Sequence, residues 1–153
     1  MADLAEVRAM ADGLIELHLG QEKERWTFNF DYARKRGGLC NHGTRVISMS
    51  RYLCEIWDLE DARQTMLHEI AHALVGRDHQ HSRHWLDVAR SIGYEGGVSH
   101  QYAVAEHLAP WRGTCPSGHT IVRFKRPPRK PVSCAKCSPR FSKQYRITWE
   151  FVG

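Results

Sequence analysis

The sequence lacks any long apolar run. Nowhere in its 153 residues do about eighteen apolar residues follow one another, the length that a membrane-spanning helix needs. Its opening residues, MADLAEVRAM, also lack the basic and then apolar pattern of a secretory signal peptide. Both absences argue against membrane insertion or export. We therefore expect an intracellular, cytoplasmic protein with no membrane partner. Its composition, 42% apolar and 25% charged, is typical of a folded globular protein.

Cysteine is too scarce and too unevenly placed for a disulfide framework. Of the five cysteines, Cys115, Cys134 and Cys137 lie near the C-terminus at spacings typical of metal ligands. Cys40 and Cys54 are left as expected free thiols, as is usual inside cells.

Acidic residues are nearly missing from the C-terminal part. Residues 1–110 contain 12 Lys and Arg against 16 Asp and Glu, a net charge of −4, whereas residues 111–153 contain 10 against Glu150 alone, a net of +9. The composition also shifts after Pro110, so we predict domains at 1–110 and 111–153. The charge split favours a polyanion such as DNA as partner of the second domain, with a solvated basic surface as the alternative.

Apolar spacing and capping residues predict an α+β fold for residues 1–110. Apolar steps of three and four residues over 4–17 predict an amphipathic helix, and alternation in WTFNFD and TRVISMS predicts two or three antiparallel strands, with a turn at the paired glycines of RKRGGLCNHG. A helix bounded by Asp58 as N-cap and Gly76 at its end follows, and another begins near Ser82 and ends at Gly93.

Half of the ten histidines lie between residues 68 and 84. His68 and His72 are four residues apart on the predicted helix, so the two imidazoles share a face about 6 Å apart and can occupy two corners of a zinc tetrahedron. Glu69 lies beside that face, where it can take a proton from an attacking water without being a ligand. Burying these three groups without a metal would be costly, although a hydrogen-bonded core pair is the alternative.

A catalytic zinc needs a third protein ligand, and the chain after Gly76 offers His79, His81 and His84. We favour His81, because it directly precedes the start of the next helix and is held in a fixed place. His79 is the second choice, and His84 is interpreted as a pocket-lining or surface residue.

The segments TMLHEIAHALVG and HQHSRHWLDVARSIG, with the upstream WTFNFDYARKRGGLCNHGTRVISMSRYL, resemble the SprT-like, or Spartan-type, metalloproteases. The resemblance covers residues from about 22 to 150. It implies that His68, His72 and His81 bind zinc and that Glu69 is the general base, with Trp85 as the aromatic residue that opens the next helix. It also implies that the substrates are proteins bound on DNA or crosslinked to it.

Two positions depart from the pattern of that family. Where the family usually has Gly and then an acidic residue, this sequence has Ser82 and His84. This departure leaves His84 as a possible substitute for His81.

The C-terminal part offers a second metal site. CPSGH places Cys115 and His119 four residues apart, and CAKC places Cys134 and Cys137 at knuckle spacing. The set is a closed Cys3His zinc ribbon, with free thiols as the alternative. We expect its zinc to be structural, because so short a module has little core of its own and metal binding supplies folding free energy. SprT-like proteins of bacteria and phage similarly end in a zinc ribbon.

The segment between these knuckles, TIVRFKRPPRKPVS, is strongly basic. Contacts from its cations to DNA phosphates would give sequence-tolerant and salt-sensitive binding. The candidate DNA-binding residues are Arg123, Lys125, Arg126, Arg129 and Lys130.

The sequence thus predicts an α+β fold: a minimal zincin-type domain with a helix, a short antiparallel sheet, the HExxH helix and a second ligand-bearing helix, followed by a small zinc ribbon. We expect two Zn²⁺ ions, one catalytic and one structural, and a DNA-associated endopeptidase. TRVISMS can pair with an extended substrate if it forms an edge strand. The alternative function is a non-catalytic, zinc-containing DNA-binding module or adaptor.

Overall fold

The computed structural model of the protein describes residues 1–98 and 106–153. The chain divides into two compact units, Met1–Val104 and Ala105–Gly153, and it mixes helices with small sheets. The predicted domain limits at 1–110 and 111–153 stay a prediction. In the described parts of the chain, no helix is both long enough and apolar enough to cross a membrane.

The first unit carries a three-stranded sheet and the helices around it. Its elements, in chain order, are α1 (Leu4–Leu19), β1 (Thr27–Asp31), β2 (Gly38–Asn41), β3 (Val46–Ser50), α2 (Arg51–Cys54), α3 (Leu59–Val75) and α4 (Arg83–Ser91), with a 3₁₀ turn at Arg77–His79.

The sheet has the strand order β1-β3-β2, and the prediction that it is antiparallel throughout is wrong. Strands β2 and β3 pair antiparallel, but β1 and β3 are parallel, with Phe28 opposite Ile47. The strand with the deepest burial, β3, takes the centre, where neighbours cover it on both edges. TRVISMS is therefore not an edge strand, and β2 borders the sheet instead.

Helix α1 packs against α3 through one narrow face. Asp3 caps its N-terminus by accepting hydrogen bonds from the backbone N–H groups of Ala5 and Glu6. The buried residues are spaced four apart: Val7, Ala11, Ile15 and Leu19. Leu17, which the apolar spacing had placed on the inner face, is 72% exposed.

Helix α3 has the predicted ends. The Asp58 carboxylate accepts a 2.8 Å hydrogen bond from the backbone N–H of Asp61, and Gly76 ends the helix at a φ of +84°. That φ lies in the left-handed region, which favours glycine. The middle of the helix, from Thr65 to Ala71, is buried and contacts both β2 and β3.

The second unit is built on a separate antiparallel sheet with the order β5-β4-β6. Its strands are β4 (Trp111–Thr114), β5 (Thr120–Arg123) and β6 (Thr148–Phe151). A Cβ at Gly113 of β4 would lie 2.8 Å from Trp149 Cζ3 and 2.6 Å from Ile147 Cγ2. These side chains therefore pack directly on the middle strand.

Candidate metal centres

Three histidine side chains converge on one point in the first unit. Their Nε2 atoms are separated by 3.2 Å for His68 and His72, 3.1 Å for His72 and His81, and 3.0 Å for His81 and His68. Three such nitrogens cannot all be satisfied by one another, since each offers one in-plane proton or lone pair. A tetrahedral zinc with Zn–N bonds of about 2.0–2.1 Å would hold its nitrogens about 3.3–3.4 Å apart. The triangle fits three imidazole ligands of a zinc-sized ion.

Two local features bring His81 to the helix. The chain leaves α3 at Gly76, passes the 3₁₀ turn and reverses at Gln80, whose φ is +32°. Ser82 then caps α4 by accepting a 3.3 Å hydrogen bond from the backbone N–H of Trp85. His81 is thus held between a turn and a capped helix.

The two other candidate ligands lie elsewhere. His79 and His84 are exposed and pack against each other, with their ring centroids 4.8 Å apart. The cluster of potential ligands contains His68, His72 and His81 and neither of these residues.

An aromatic floor supports the three imidazoles. Trp85 is fully buried, and its ring centroid lies 4.5 Å from that of His68 and 4.9 Å from that of His81, while His72 stacks on it at 5.1 Å and 25°. Tyr94 lies 5.6 Å from His68 and donates a 2.8 Å hydrogen bond to the Gly97 carbonyl. Packing of this kind restricts the rotation of the rings and holds the three potential ligands in fixed orientations.

Glu69 lies beside the imidazoles but outside the ligand cluster. It is 8% exposed, and burial raises the pKa of its carboxyl to about 8, although Arg36 and a hydrogen bond from the backbone N–H of Cys40 favour the ionised form. A carboxyl with a raised pKa near neutrality can both accept and release a proton. Glu69 therefore has the properties of an acid–base residue.

Glu69 and the three histidines open into one cavity of about 810 Å³. Strand β2 forms one wall through residues 38–40, and Lys35, Arg36 and Arg77 add positive charge. Its volume is in the range typical of ligand-binding pockets.

The SprT-like family model matches residues 8–106, which include all four of these side chains and Trp85. The chain belongs to the SprT-like family. No curated protein matches it. Membership agrees with the expectation drawn from the HExxH segment.

A second ligand cluster lies in the unit that follows the SprT-like match. His119 Nδ1 is 3.5 Å from the Sγ atoms of Cys115 and Cys134 and 3.3 Å from that of Cys137, and the Sγ atoms of Cys115 and Cys137 are 3.9 Å apart. Tetrahedral zinc with Zn–S of about 2.3 Å and Zn–N of about 2.0–2.1 Å requires about 3.5 Å between S and N and about 3.8 Å between two S atoms. The set fits zinc closely, and the five cysteines are free of disulfides.

Tight turns present these four ligands. Gly118, at a φ of +86°, donates its N–H to the Cys115 carbonyl at 2.9 Å, and the N–H of Cys137 reaches the Cys134 carbonyl at 3.2 Å. Each turn brings two potential ligand side chains to one point, an arrangement compatible with a zinc knuckle.

The predicted DNA contacts occupy β5 and the loop after it. The Arg123 guanidinium lies 5.8 Å from the Trp149 ring centroid, which places it on the sheet of the second unit. The other four candidates, Lys125, Arg126, Arg129 and Lys130, are exposed. Their side chains are therefore accessible to a polyanion.

The sequence did not reveal three residues of the first centre. Tyr94, Arg36 and Cys40 carry no motif, because their contacts with the HExxH residues arise only when distant segments pack together. The paired glycines were assigned to a turn, yet Gly38 opens β2. Its proximity to Glu69 has no sequence signal either.

Proposed function

We propose that this SprT-like protein is a zinc-dependent endopeptidase with a zincin-type active site on its first unit. One observation carries the proposal: three imidazole nitrogens converge as ligands while a buried carboxyl, Glu69, lies beside them in the same cavity and outside the ligand set. A purely structural zinc has no need of such a carboxyl.

In this proposal His68, His72 and His81 hold the zinc, which when bound supplies the Lewis acidity that activates water and polarises a scissile carbonyl. Glu69 accepts the proton of the attacking water. It then passes that proton to the leaving amine, so one residue acts as base and acid in turn. Burial raises the pKa of its carboxyl toward neutrality, which makes the group a stronger base than an exposed carboxylate.

Strand β2 is the element best placed to hold the substrate. It borders the cavity, and it ends the sheet on that side in the described residues. An extended peptide can pair with such an edge through backbone hydrogen bonds, which read the shape of the main chain rather than side-chain identity. We expect loose sequence preference as a result.

The substrate class we propose is protein bound on DNA or crosslinked to it, with the ribbon as the DNA anchor. The net charge of +9 over residues 111–153 and the exposed cations after β5 support this part of the proposal. Recruitment through DNA raises the local concentration of DNA-bound substrate, so selectivity for side chains becomes unnecessary.

Glu69→Gln tests the proteolytic assignment. The variant keeps the shape of the side chain but cannot accept a proton, so we expect zinc content and fold to persist while cleavage of casein or histone falls by about 10²- to 10⁴-fold. Glu60→Gln is the matched control, because Glu60 lies exposed in the first turn of the same helix. Cleavage by Glu69→Gln at the wild-type rate would favour a non-catalytic module.

A further inference from the structure

Gly38, at the start of β2, lies directly on the acid–base residue. A Cβ built at this position would lie 2.9 Å from Glu69 Cγ, 3.0 Å from Glu69 Oε1 and 3.1 Å from Thr65 Cγ2. The contact of 2.9 Å essentially never occurs for a real Cβ atom, and the other two are tighter than most real Cβ contacts, so a neighbour must move. The φ of Gly38 is outside the left-handed region, so the position requires empty space rather than the backbone freedom of glycine.

The same strand also brings the backbone N–H of Cys40, two residues after Gly38, near enough to Glu69 to favour its ionised carboxylate. Strand β2 therefore approaches the side chain of Glu69 at two positions: at Gly38, which has no side chain, and at the backbone N–H of Cys40. If the strand moves away from helix α3, both contacts change together.

We propose that Gly38 is a positioning residue for Glu69: its missing side chain lets β2 approach α3 closely enough to fix the carboxyl group beside the histidine cluster. The effect on activity rests on the proposed function, whereas the contact itself does not. The three nearest atoms to the built Cβ belong to Glu69 and Thr65, and none belongs to a metal ligand. A side chain here therefore disturbs the acid–base residue before it disturbs the zinc site.

Gly38→Ala is the first test. A methyl group must push the carboxyl group away or lift the strand, and a misplacement of about 1 Å can lower turnover by about 100-fold. We expect kcat to fall by about 10- to 100-fold, with KM little changed because the backbone edge of β2 remains. Zinc content should stay at the wild-type value. Gly13→Ala is the control, since a Cβ at Gly13 meets nothing within 4 Å, and its activity should be that of the wild type.

A second pair of variants decides whether the added methyl group acts on activity through its contact with Glu69 or through its contact with Thr65. Thr65→Ala removes the Cγ2 atom that lies 3.1 Å from the built Cβ but leaves Glu69 in place. If Gly38 acts on Glu69, then Gly38→Ala lowers kcat as strongly in the Thr65→Ala background as in the wild type. Full recovery of kcat in that background would overturn the proposal, because the glycine would then serve only the packing of α3.

Unfolding by urea tests the contact without any activity. Gly38→Ala should lower the unfolding midpoint in the wild type and lower it less in a Glu69→Ala background, where the colliding side chain is gone. The difference between the two backgrounds cancels effects on the unfolded chain. Equal lowering in both backgrounds would refute the contact with Glu69.

The outcomes distinguish this inference from the proposed function. If the wild type cleaves neither casein nor histone, the protease assignment fails while the urea measurement still tests the contact. If the wild type cleaves and Gly38→Ala cleaves equally well, the positioning role alone fails. Loss of zinc from Gly38→Ala would assign the glycine to the metal site and would also overturn it.

Discussion

Trp85 is the residue on which the fold and the metal centre depend together. It is fully buried beneath the three imidazoles, and no residue of the described chain pairs with its indole N–H. Two opposing contributions to stability are therefore present at one side chain: extensive apolar burial, which stabilises the folded unit, and a buried donor without a partner, which destabilises it.

Their magnitudes decide what two substitutions do. Trp85→Ala removes the whole ring and should cost about 3–5 kcal/mol of unfolding free energy. Trp85→Phe loses about 40 Å² of buried apolar area, or about 1 kcal/mol, but it also removes an orphaned N–H that costs about 1–3 kcal/mol. The phenylalanine variant should thus be as stable as the wild type or slightly more stable.

Zinc affinity at the histidine site should follow the same order as stability: Trp85→Ala should lower it more than Trp85→Phe. Without the ring beneath them the imidazoles lose their fixed orientation, and loss of such outer support typically weakens metal binding by about 10- to 100-fold. We expect that loss for Trp85→Ala, while Trp85→Phe keeps the zinc.

Urea unfolding followed by circular dichroism, together with zinc titration, checks both expectations. Trp26→Phe is the control, because Trp26 is also buried but packs edge-on against His42 at the start of the sheet. It should lose about 1 kcal/mol without compensation. If Trp85→Phe is the more destabilised of the two, an ordered water satisfies the indole N–H and the reasoning is refuted.

Two further predictions concern the metals. His81→Ala should lose the zinc of the first centre while His79→Ala and His84→Ala keep it, as measured by elemental analysis; the opposite pattern would transfer the ligand role. Wild-type protein should hold two zinc ions, and mild chelation should remove the one in the histidine site first, because thiolates close the other. Unchanged zinc content in Cys134→Ser would contradict the ribbon site.

Local spacing rules could predict pairs of residues within each of the two clusters of potential metal ligands. His68 and His72 follow from helical spacing, and the ends of α3 follow from Asp58 and Gly76, whose capping roles need no tertiary information. The knuckle spacings identify the second cluster in the same way. Within each pair the residues lie three or four positions apart, whereas His81 follows His72 by nine positions and its choice among three histidines also rested on the family resemblance.

The sheet could not be predicted in this way, because strand order depends on contacts between distant segments. The alternation of apolar residues indicated strands at β1 and β3. It did not indicate that β3, the most buried strand, lies between β1 and β2. The approach of Gly38 to Glu69 joins positions 31 residues apart. Such a contact follows from how the helix lies on the sheet, and no spacing rule describes it.

The last prediction concerns the basic loop that follows β5 in the second unit, where Arg126, Arg129 and Lys130 are exposed. If these residues bind DNA phosphates, replacing all three by Gln should weaken DNA binding equally for all sequences. It should also reduce the slope of log K against log salt by about 0.7–0.9 for each phosphate that is no longer neutralised, or about 2–3 in total. Titration of labelled DNA at several salt concentrations measures both effects.

The matched control removes the same charge from the first unit: Lys23, Arg25 and Arg34 are exposed there and are replaced by Gln. A change in net charge alone would weaken binding similarly in both triple variants, whereas phosphate binding by the loop would weaken it only in the ribbon variant. Cleavage of a free peptide should remain normal in the ribbon variant, because the catalytic groups are unchanged, while cleavage of a DNA-bound protein should fall with DNA affinity. Equal loss of both activities would mean that the loop supports folding or the active site. Unchanged DNA affinity would mean that these cations form a solvated surface and that DNA is held by other residues.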